Sequence, residues 1–439
     1  MNKVLEVREF DIITCNPDYK EQYHYLEKPL FDSLVAFIHE FTGSEETADA
    51  IDFLKCFTKK NVGDVVSIRN FVGLIEMKSG FQIQVLPKID FSSGEDVGNQ
   101  TTKRIFLKML RSMKDFPCKV FNDANLKADR MNLYELFINM YLQEVRQILK
   151  QGLKSGYTEK EDNLRFYKGK LIVNEHIRQN LSHRERFYLR YDEFNPNRPE
   201  NKLIKSTLLK LSKLTSSAEN SREIRQILTG FELVEHSKNI EKDFASVKID
   251  RTTKSYETVM AWSRVFLFNK SFTTFSGNTQ SRALLFPMEQ VFESYVAQQL
   301  KKVFAPDGWD VSAQDNGYYL FEEPRRQFSL RPDIVIRKND RIIILDTKWK
   351  SLFDNEAKNY GISQADMYQM YAYSKKYQTS EIWLIYPVNQ EMRNHRPIQF
   401  DSGDGTLVYV HFLDIAEIET DLNALKNTIT TRLQRVVSN

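Results

Sequence analysis

The chain has 439 residues, of which 41% are hydrophobic, 12% aromatic and 28% charged. At roughly 150 residues per domain this predicts about three domains with a substantial core, and it excludes a disordered, collagen-like or disulfide-stapled chain. The net charge of +3 is too small to announce a nucleic-acid partner by itself, so any basic patch must be local.

No apolar run approaches the ~20 residues that span a bilayer. The first segment, MNKVLEVREFDIITC, carries Glu6, Glu9 and Asp11 and lacks the apolar stretch of a secretory signal. No membrane partner is expected. The three cysteines, Cys15, Cys56 and Cys118, are sparse and odd in number, which points to reduced thiols in a cytoplasmic protein. There is no CxxC or HxxxH pair for a structural zinc, no GxxxxGK[ST] or GxGxxG phosphate loop, and no GxSxG elbow.

In chain order, Val4–Thr14 alternates and predicts a strand, and Leu30–Glu40 predicts an amphipathic helix. VVSIRNFVGLIEMKSGFQIQVLPKID predicts two or three strands, with Ser79-Gly80 at a hairpin turn. Ser92–Gln100 is polar and small and reads as a linker. From about Thr101 to Leu214 the pattern is mostly helical. Asn132–Leu149 has an N-cap in Asn132 and a stop in Gly152, and Asn201–Leu214 repeats that grammar. Between them lies a strand-like, then basic stretch (LRFYKGKLIVNEHIRQNLSHRERFYLRYDEF). Ser221–Leu233 and Ser255–Phe268 are further helix candidates.

From Phe286 the grammar changes. Pro287–Val303 predicts a helix with proline at its start. Trp309–Gln314, Tyr318–Glu322, Leu330–Arg337 and Arg341–Lys348 predict strands, with Asn339-Asp340 as a turn. Ser363–Lys376 predicts a helix and Glu381–Pro387 a buried strand. The expected architecture is a mixed α/β, α+β multidomain chain. It comprises a β-rich domain over 1–95, a mostly helical middle or stalk over 96–280, and a compact α/β domain over 281–439.

Chemistry concentrates in the last part. Asp333 enters one strand in Arg331-Pro332-Asp333, and Asp346 and Lys348 end the next. A short hairpin sets the two aspartates side by side, and the i, i+2 spacing puts Asp346 and Lys348 on one face. Two close carboxylates suit Mg²⁺, or Mn²⁺ in its place. A lysine there can position water or steady charge on a phosphate. Alone, such a match is often only a turn aspartate and a solvated lysine. Here a helix carrying Glu293 precedes it, the apolar run IIIL leads into Asp346, and Gln369 and Tyr373 follow at i, i+4 on one helix face.

With these parts in order the chain resembles the PD-(D/E)xK nuclease superfamily, whose core is helix, three-stranded meander, helix, strand. Pro332-Asp333 and Asp346-Thr347-Lys348 match its signature, Glu293 matches its first-helix acid, and Gln369-x-x-x-Tyr373 matches its QxxxY element. VGLIEMKSGFQIQVLPKID, YKGKLIVNEHIRQN, YDEFNPNRPENKLIKSTLLKL, FESYVAQQL and LRPDIVI…ILDTKWK, spread over about Val4 to Pro387, resemble the McrC family, nuclease subunits of McrBC-type antiphage restriction systems. The resemblance implies a Mg²⁺-dependent DNA endonuclease with a PD-(D/E)xK domain over 281–439. Asp333, Asp346 and Glu293 would be metal ligands, and Lys348, Gln369 and Tyr373 would complete the catalytic set. It also implies double-stranded, modified DNA as substrate and a hexameric McrB-like AAA+ GTPase ring as partner. The ring would be docked and stimulated by the part outside the nuclease domain, with 1–95 as a docking domain. The missing phosphate loop agrees with that division of labour.

Residues 325–350 hold eight Lys and Arg against three Asp, so Arg325, Arg326, Arg331 and Lys350 are candidate DNA contacts. The basic block at 176–190, with Arg184 and Arg186, could hold DNA or dock the ring. Two other readings stand beside this one: a non-cleaving adaptor that stimulates the NTPase, and a PD-(D/E)xK nuclease of DNA repair or transposition. The joint presence of Asp333, Asp346 and Lys348 speaks against the adaptor. Residues 215–255 and the tail after 389 have no assigned role.

Overall fold

The computed structural model describes residues 4–42, 54–77, 79–88, 100–113, 132–251, 253–268 and 282–437. Two compact units divide the chain: residues 1–119 with 271–439, and residues 120–270.

The stretch expected as one strand forms two, β1 (Val4–Arg8) and β2 (Ile12–Thr14). The chain turns between them at Glu9 and Phe10. Phe10 adopts a φ of 71°, and the Asp11 carboxylate accepts the Arg8 N–H at 2.7 Å. Next come β3 (His24–Tyr25), α1 (Lys28–Thr42), β4 (Leu54–Lys59), β5 (Gly63–Ile68), β6 (Phe71–Glu76), β7 (Gln82–Leu86) and α2 (Gln100–Leu110). β6 and β7 form the expected hairpin, closed at Gly80, whose N–H donates to the Met77 carbonyl at 2.9 Å. One sheet has the order β3-β2-β5-β4. The expected linker lies outside the described residues apart from Gln100, which begins α2.

The second unit opens with α3 (Leu133–Gln151). Asn132 caps it by accepting the Glu135 N–H at 2.9 Å, and Gly152 ends it at φ 83°. Then follow β8 (Gly156–Leu164), β9 (Lys170–Leu171), α4 (Val173–Asn180), β10 (Phe187–Asn195), α5 (Pro199–Leu214), α6 (Ala218–Thr229), α7 (Ile240–Ser246) and α8 (Glu257–Phe268). Aromatic residues of α3 and α8 build its core, with Phe137 on Trp262 and Tyr141 on Phe266. The middle region is not uniformly helical. β8, β10 and β9 form an antiparallel sheet in which β8 and β10 pair along their whole lengths. VNEHIRQN, in the strand-like stretch, is instead helix α4. It is held by a reciprocal amide pair between Asn163 and Asn180 at 2.8 Å.

The chain then returns to the first unit. β11 (Arg282–Pro287) pairs with β6 and completes the sheet β1-β7-β6-β11. The expected partition at 95 and 280 therefore cuts differently from the structure, because β11 belongs to an N-terminal sheet. Gly73 in β6 makes the pairing close: at its φ of 144° an added Cβ would stand 2.0 Å from the Leu284 carbonyl oxygen. From β11 the chain enters α9 (Met288–Phe304), then β12 (Asp310–Ala313), β13 (Tyr318–Phe321), β14 (Gln327–Leu330), β15 (Ile334–Lys338), β16 (Arg341–Thr347), α10 (Gln364–Tyr377), β17 (Glu381–Pro387), β18 (Ile398–Asp401), β19 (Leu407–Leu413) and α11 (Ile418–Val437).

These strands make a six-stranded sheet, β12-β15-β16-β17-β19-β18. β12, β15 and β16 run antiparallel, while β17 and β19 add in parallel. The tail after 389 is thus part of this sheet, and α11 packs on α9. The expected strand over Leu330–Arg337 is two strands, broken at Arg331–Asp333, with β14 paired to β13 instead. Among the described residues no helix is long and apolar enough to cross a membrane.

Candidate active site

β15 and β16 are buried apolar strands, and their hairpin sets the register Ile334↔Leu345. One step further places Asp333 across from Asp346. The Asp333 Oδ2 accepts both the Thr347 N–H and the Thr347 hydroxyl at 2.7 Å. Gln314 fixes the same residue from the other side, donating its N–H to the Asp333 carbonyl at 2.8 Å.

Asp346 is 1% exposed. Its Oδ2 lies 2.6 Å from the Lys348 ammonium, whose charge and hydrogen bond act against the burial of the carboxylate. Lys348 continues the ladder beside β17, donating its N–H to Ile385 at 2.9 Å. Its ammonium also reaches Gln369 Oε1 at 3.3 Å and stands 3.9 Å from Asp366. Gln369 in turn donates to the Tyr373 hydroxyl at 2.8 Å, with Tyr373 1% exposed.

Burial raises the Asp333 carboxyl. Burial and the neighbouring Asp333 charge push Asp346 up to about 7. On α9, burial and then Asp333 push Glu293 up to about 7, against a hydrogen bond with Gln314. Burial opposes the Lys348 charge, but Asp346, Asp333 and Asp366 together hold the ammonium above the usual lysine value. The structure therefore assembles three carboxyl groups whose ionisation burial disfavours, two of them raised further by Asp333, with one cation among them.

All six expected site residues meet at this end of the sheet. Among the described residues no group of three or more His, Cys, Asp or Glu is placed so as to hold a metal ion together. An open pair of carboxylates with a third nearby still fits Mg²⁺, which keeps several waters and takes one or two protein carboxylates. The burial of Asp346 and the raised carboxyls are what a divalent cation would relieve.

The basic candidates are spread more widely. Arg325, Arg326 and Arg331 are exposed on or beside the β13–β14 hairpin, and Arg326 pairs with Glu322 at 3.2 Å. Lys350 is exposed and donates to the Gly361 carbonyl at 2.5 Å. Arg184 and Arg186 belong to the second unit, between α4 and β10. Thr347, Gln314 and Asp366 escaped the sequence reading. Only Thr347 had a signal there, as a hydroxyl between the paired Asp and Lys.

The match of residues 66–387 to the model of the McrBC 5-methylcytosine restriction system component family covers most of the chain, which belongs to that family. It is 24% identical over 308 residues to the type IV methyl-directed restriction enzyme EcoKMcrBC of Escherichia coli strain K12, covering 66% of this chain and 80% of that protein. Its fold is similar to that of a chain in the Thermococcus gammatolerans assembly of McrB AAA+ hexamers with bound McrC. That match has a TM-score of 0.69 at 18% identity and covers 97% of this chain and 100% of the other.

Proposed function

We propose that the chain is the McrC-type subunit of a McrBC-like restriction complex: a Mg²⁺-dependent DNA endonuclease that docks on an AAA+ GTPase ring and raises its hydrolysis rate. The carrying observation is the convergence of Asp333, Asp346, Lys348 and Glu293 at one sheet end, with two of the carboxyls pushed up to about 7. In this reading the chain from α9 onward, within the expected 281–439, forms the PD-(D/E)xK nuclease domain, with β11 left to the N-terminal sheet, and the substrate is double-stranded, modified DNA recognised by the ring.

Asp333, Asp346 and Glu293 would hold Mg²⁺ or Mn²⁺. When bound, the ion supplies Lewis-acid polarisation of the phosphodiester and lowers the pKa of the attacking water. Lys348 neutralises Asp346 and offers its remaining N–H bonds to charge developing on the phosphate; a protonated ammonium has no lone pair for a metal. Gln369, steadied by Tyr373, holds Lys348 from the side. Thr347 fixes the orientation of Asp333. Arg325, Arg326, Arg331 and Lys350 would meet phosphates near the cut.

For the ring-docking surface we favour the second unit, within the region before residue 286. Its β8–β10 ribbon and α4 expose Tyr157, Phe194, Phe166, Tyr167, Ile177 and Leu181, more apolar surface than a solvated ribbon carries without a partner. The N-terminal sheets bury most of their apolar residues in a core within the first unit, and the large apolar residues they leave out, Tyr25 and Phe57, are 37% and 38% exposed.

The test is to co-produce the chain with a McrB-type AAA+ GTPase and assay modified plasmid with Mg²⁺ and GTP, then with ATP. Cleavage that needs both proteins, the metal and the nucleotide supports the reading. A complex that hydrolyses GTP and leaves every DNA intact overturns the nuclease assignment.

A further inference from the structure

A buried link joins the N-terminal β-sheet of the first unit to the residue that follows Lys348. Glu9, at the turn between β1 and β2, is 2% exposed. Its Oε2 accepts the Trp349 indole N–H at 3.0 Å and the Lys88 backbone N–H at 3.1 Å. The Lys88 ammonium donates to the Trp349 carbonyl at 2.9 Å and lies 4.6 Å from the centre of the Phe10 ring. Trp349 is thus gripped at both ends, by its indole N–H and by its main-chain oxygen. Its ring is 3% exposed and packs on Phe292, with ring centres 5.4 Å apart.

The neighbours of these two rings in sequence are the point. Trp349 follows Lys348, and Phe292 precedes Glu293. This aromatic contact therefore helps to space the chain that carries the ammonium, just past β16, from the helix that carries the third carboxyl. Upstream, the Lys348 N–H is fixed by Ile385 of β17. Downstream, the next holds come at Leu352, which is buried and whose carbonyl accepts from Asn389 at 2.7 Å, and at Phe353, whose N–H donates to Tyr360, so Glu9 and Lys88 grip the chain at the residue next to Lys348. A carboxylate is an expensive group to bury. An apolar side chain would fill this buried position at lower cost, so a carboxylate and an ammonium here point to a role in geometry.

Resting on the nuclease reading above, we propose that Glu9 and Lys88 are positioning residues for cleavage: by clamping Trp349 they fix the backbone of Lys348 and the distance from Glu293 to the paired aspartates. They touch neither DNA nor metal. Loss of such a supporting contact typically costs about 10–100-fold in activity.

The experiment uses the full chain in complex with its ring partner. Single-turnover cleavage is measured at saturating DNA, together with the DNA concentration at half-maximal rate and the GTP hydrolysis rate. Trp349→Phe keeps an aromatic ring facing Phe292 and removes the indole donor with part of the ring; Glu9→Ala removes the acceptor alone; Glu9→Gln keeps an oxygen for both donors. The expected result is a fall of about tenfold or more in maximal cleavage rate for Trp349→Phe and Glu9→Ala. Half-saturation and GTP hydrolysis stay at wild-type values, and Glu9→Gln restores most of the rate. The double variant Glu9→Ala/Trp349→Phe loses no more than the worse single variant. Wild-type cleavage by Trp349→Phe and Glu9→Ala overturns the proposal, as does equal loss of cleavage and GTP hydrolysis, which marks a structural role. Both results leave the nuclease reading standing if wild-type protein cuts and Asp346→Asn does not. A wild-type complex that cuts nothing overturns both.

Discussion

Lys348→Ala is the most informative single substitution, because its two consequences separate with pH. The lysine side chain is 25% exposed and sits 2.6 Å from a carboxylate that is 1% exposed. Removing one partner of a buried pair costs on the order of 3–5 kcal/mol when the other stays charged. Asp346 has an escape, since burial and Asp333 already push its carboxyl up to about 7. A carboxyl raised in the folded state opposes stability above its unfolded pKa, and the penalty is complete only above the folded pKa. At pH 6 the variant's Asp346 takes a proton and the fold loses little. At pH 8 the unpaired charge must be carried, and the melting temperature of the metal-free chain falls further. Cleavage behaves differently. A donor placed where charge develops is worth about 10²–10³ in rate, and alanine removes it at either pH. The assays are thermal melts at pH 6 and 8, and cleavage beside GTP hydrolysis on one reconstituted complex. The reasoning expects cleavage to fall by two to three orders of magnitude with GTP hydrolysis unchanged. Equal loss of both activities, or a melting shift that does not grow with pH, refutes it.

Two further outcomes follow from the same physics. Mg²⁺ should raise the melting temperature more at pH 8 than at pH 6, because Asp346 and Glu293 are each pushed up to about 7 and a proton competes with the ion below that point; differential scanning calorimetry with and without Mg²⁺ checks it, and an equal shift at both values contradicts it. In the second unit, Glu135 is 4% exposed and its carboxylate accepts from Thr215 Oγ1, Ser216 N–H and Asn220 Nδ2 at 2.6, 2.6 and 2.7 Å. Glu135→Leu orphans these donors at the start of α6 and should cost on the order of 3 kcal/mol, read by urea unfolding.

Much of this architecture is legible in the sequence wherever burial imposes a period. The runs IVI and IIIL announce β15 and β16, Asn132 and Gly152 mark the ends of α3, and the Gln369–Tyr373 spacing survives as a hydrogen bond on α10. β8, GYTEKEDNL, is polar on both faces and held by its ladder to β10, so no hydrophobic pattern reveals it. The break between β1 and β2 rests on one left-handed residue, Phe10, a conformation that residue type does not advertise. At the site, the pairing of Asp333 with Asp346 follows from a local hairpin. The Glu9–Trp349 bond joins residues 340 positions apart, and such a contact exists only once the sheets have packed.

In the proposed function Asp346 is indispensable for cutting DNA. Asp346→Asn keeps the shape and removes the charge at a strand end, so the folded complex should survive. The measurement is cleavage of modified plasmid by the reconstituted complex, with wild-type and Asp346→Asn chains matched for GTP hydrolysis. The account predicts cutting by wild type and none by the variant at equal GTP turnover. Cutting by the Asp346→Asn complex at the wild-type rate would contradict it.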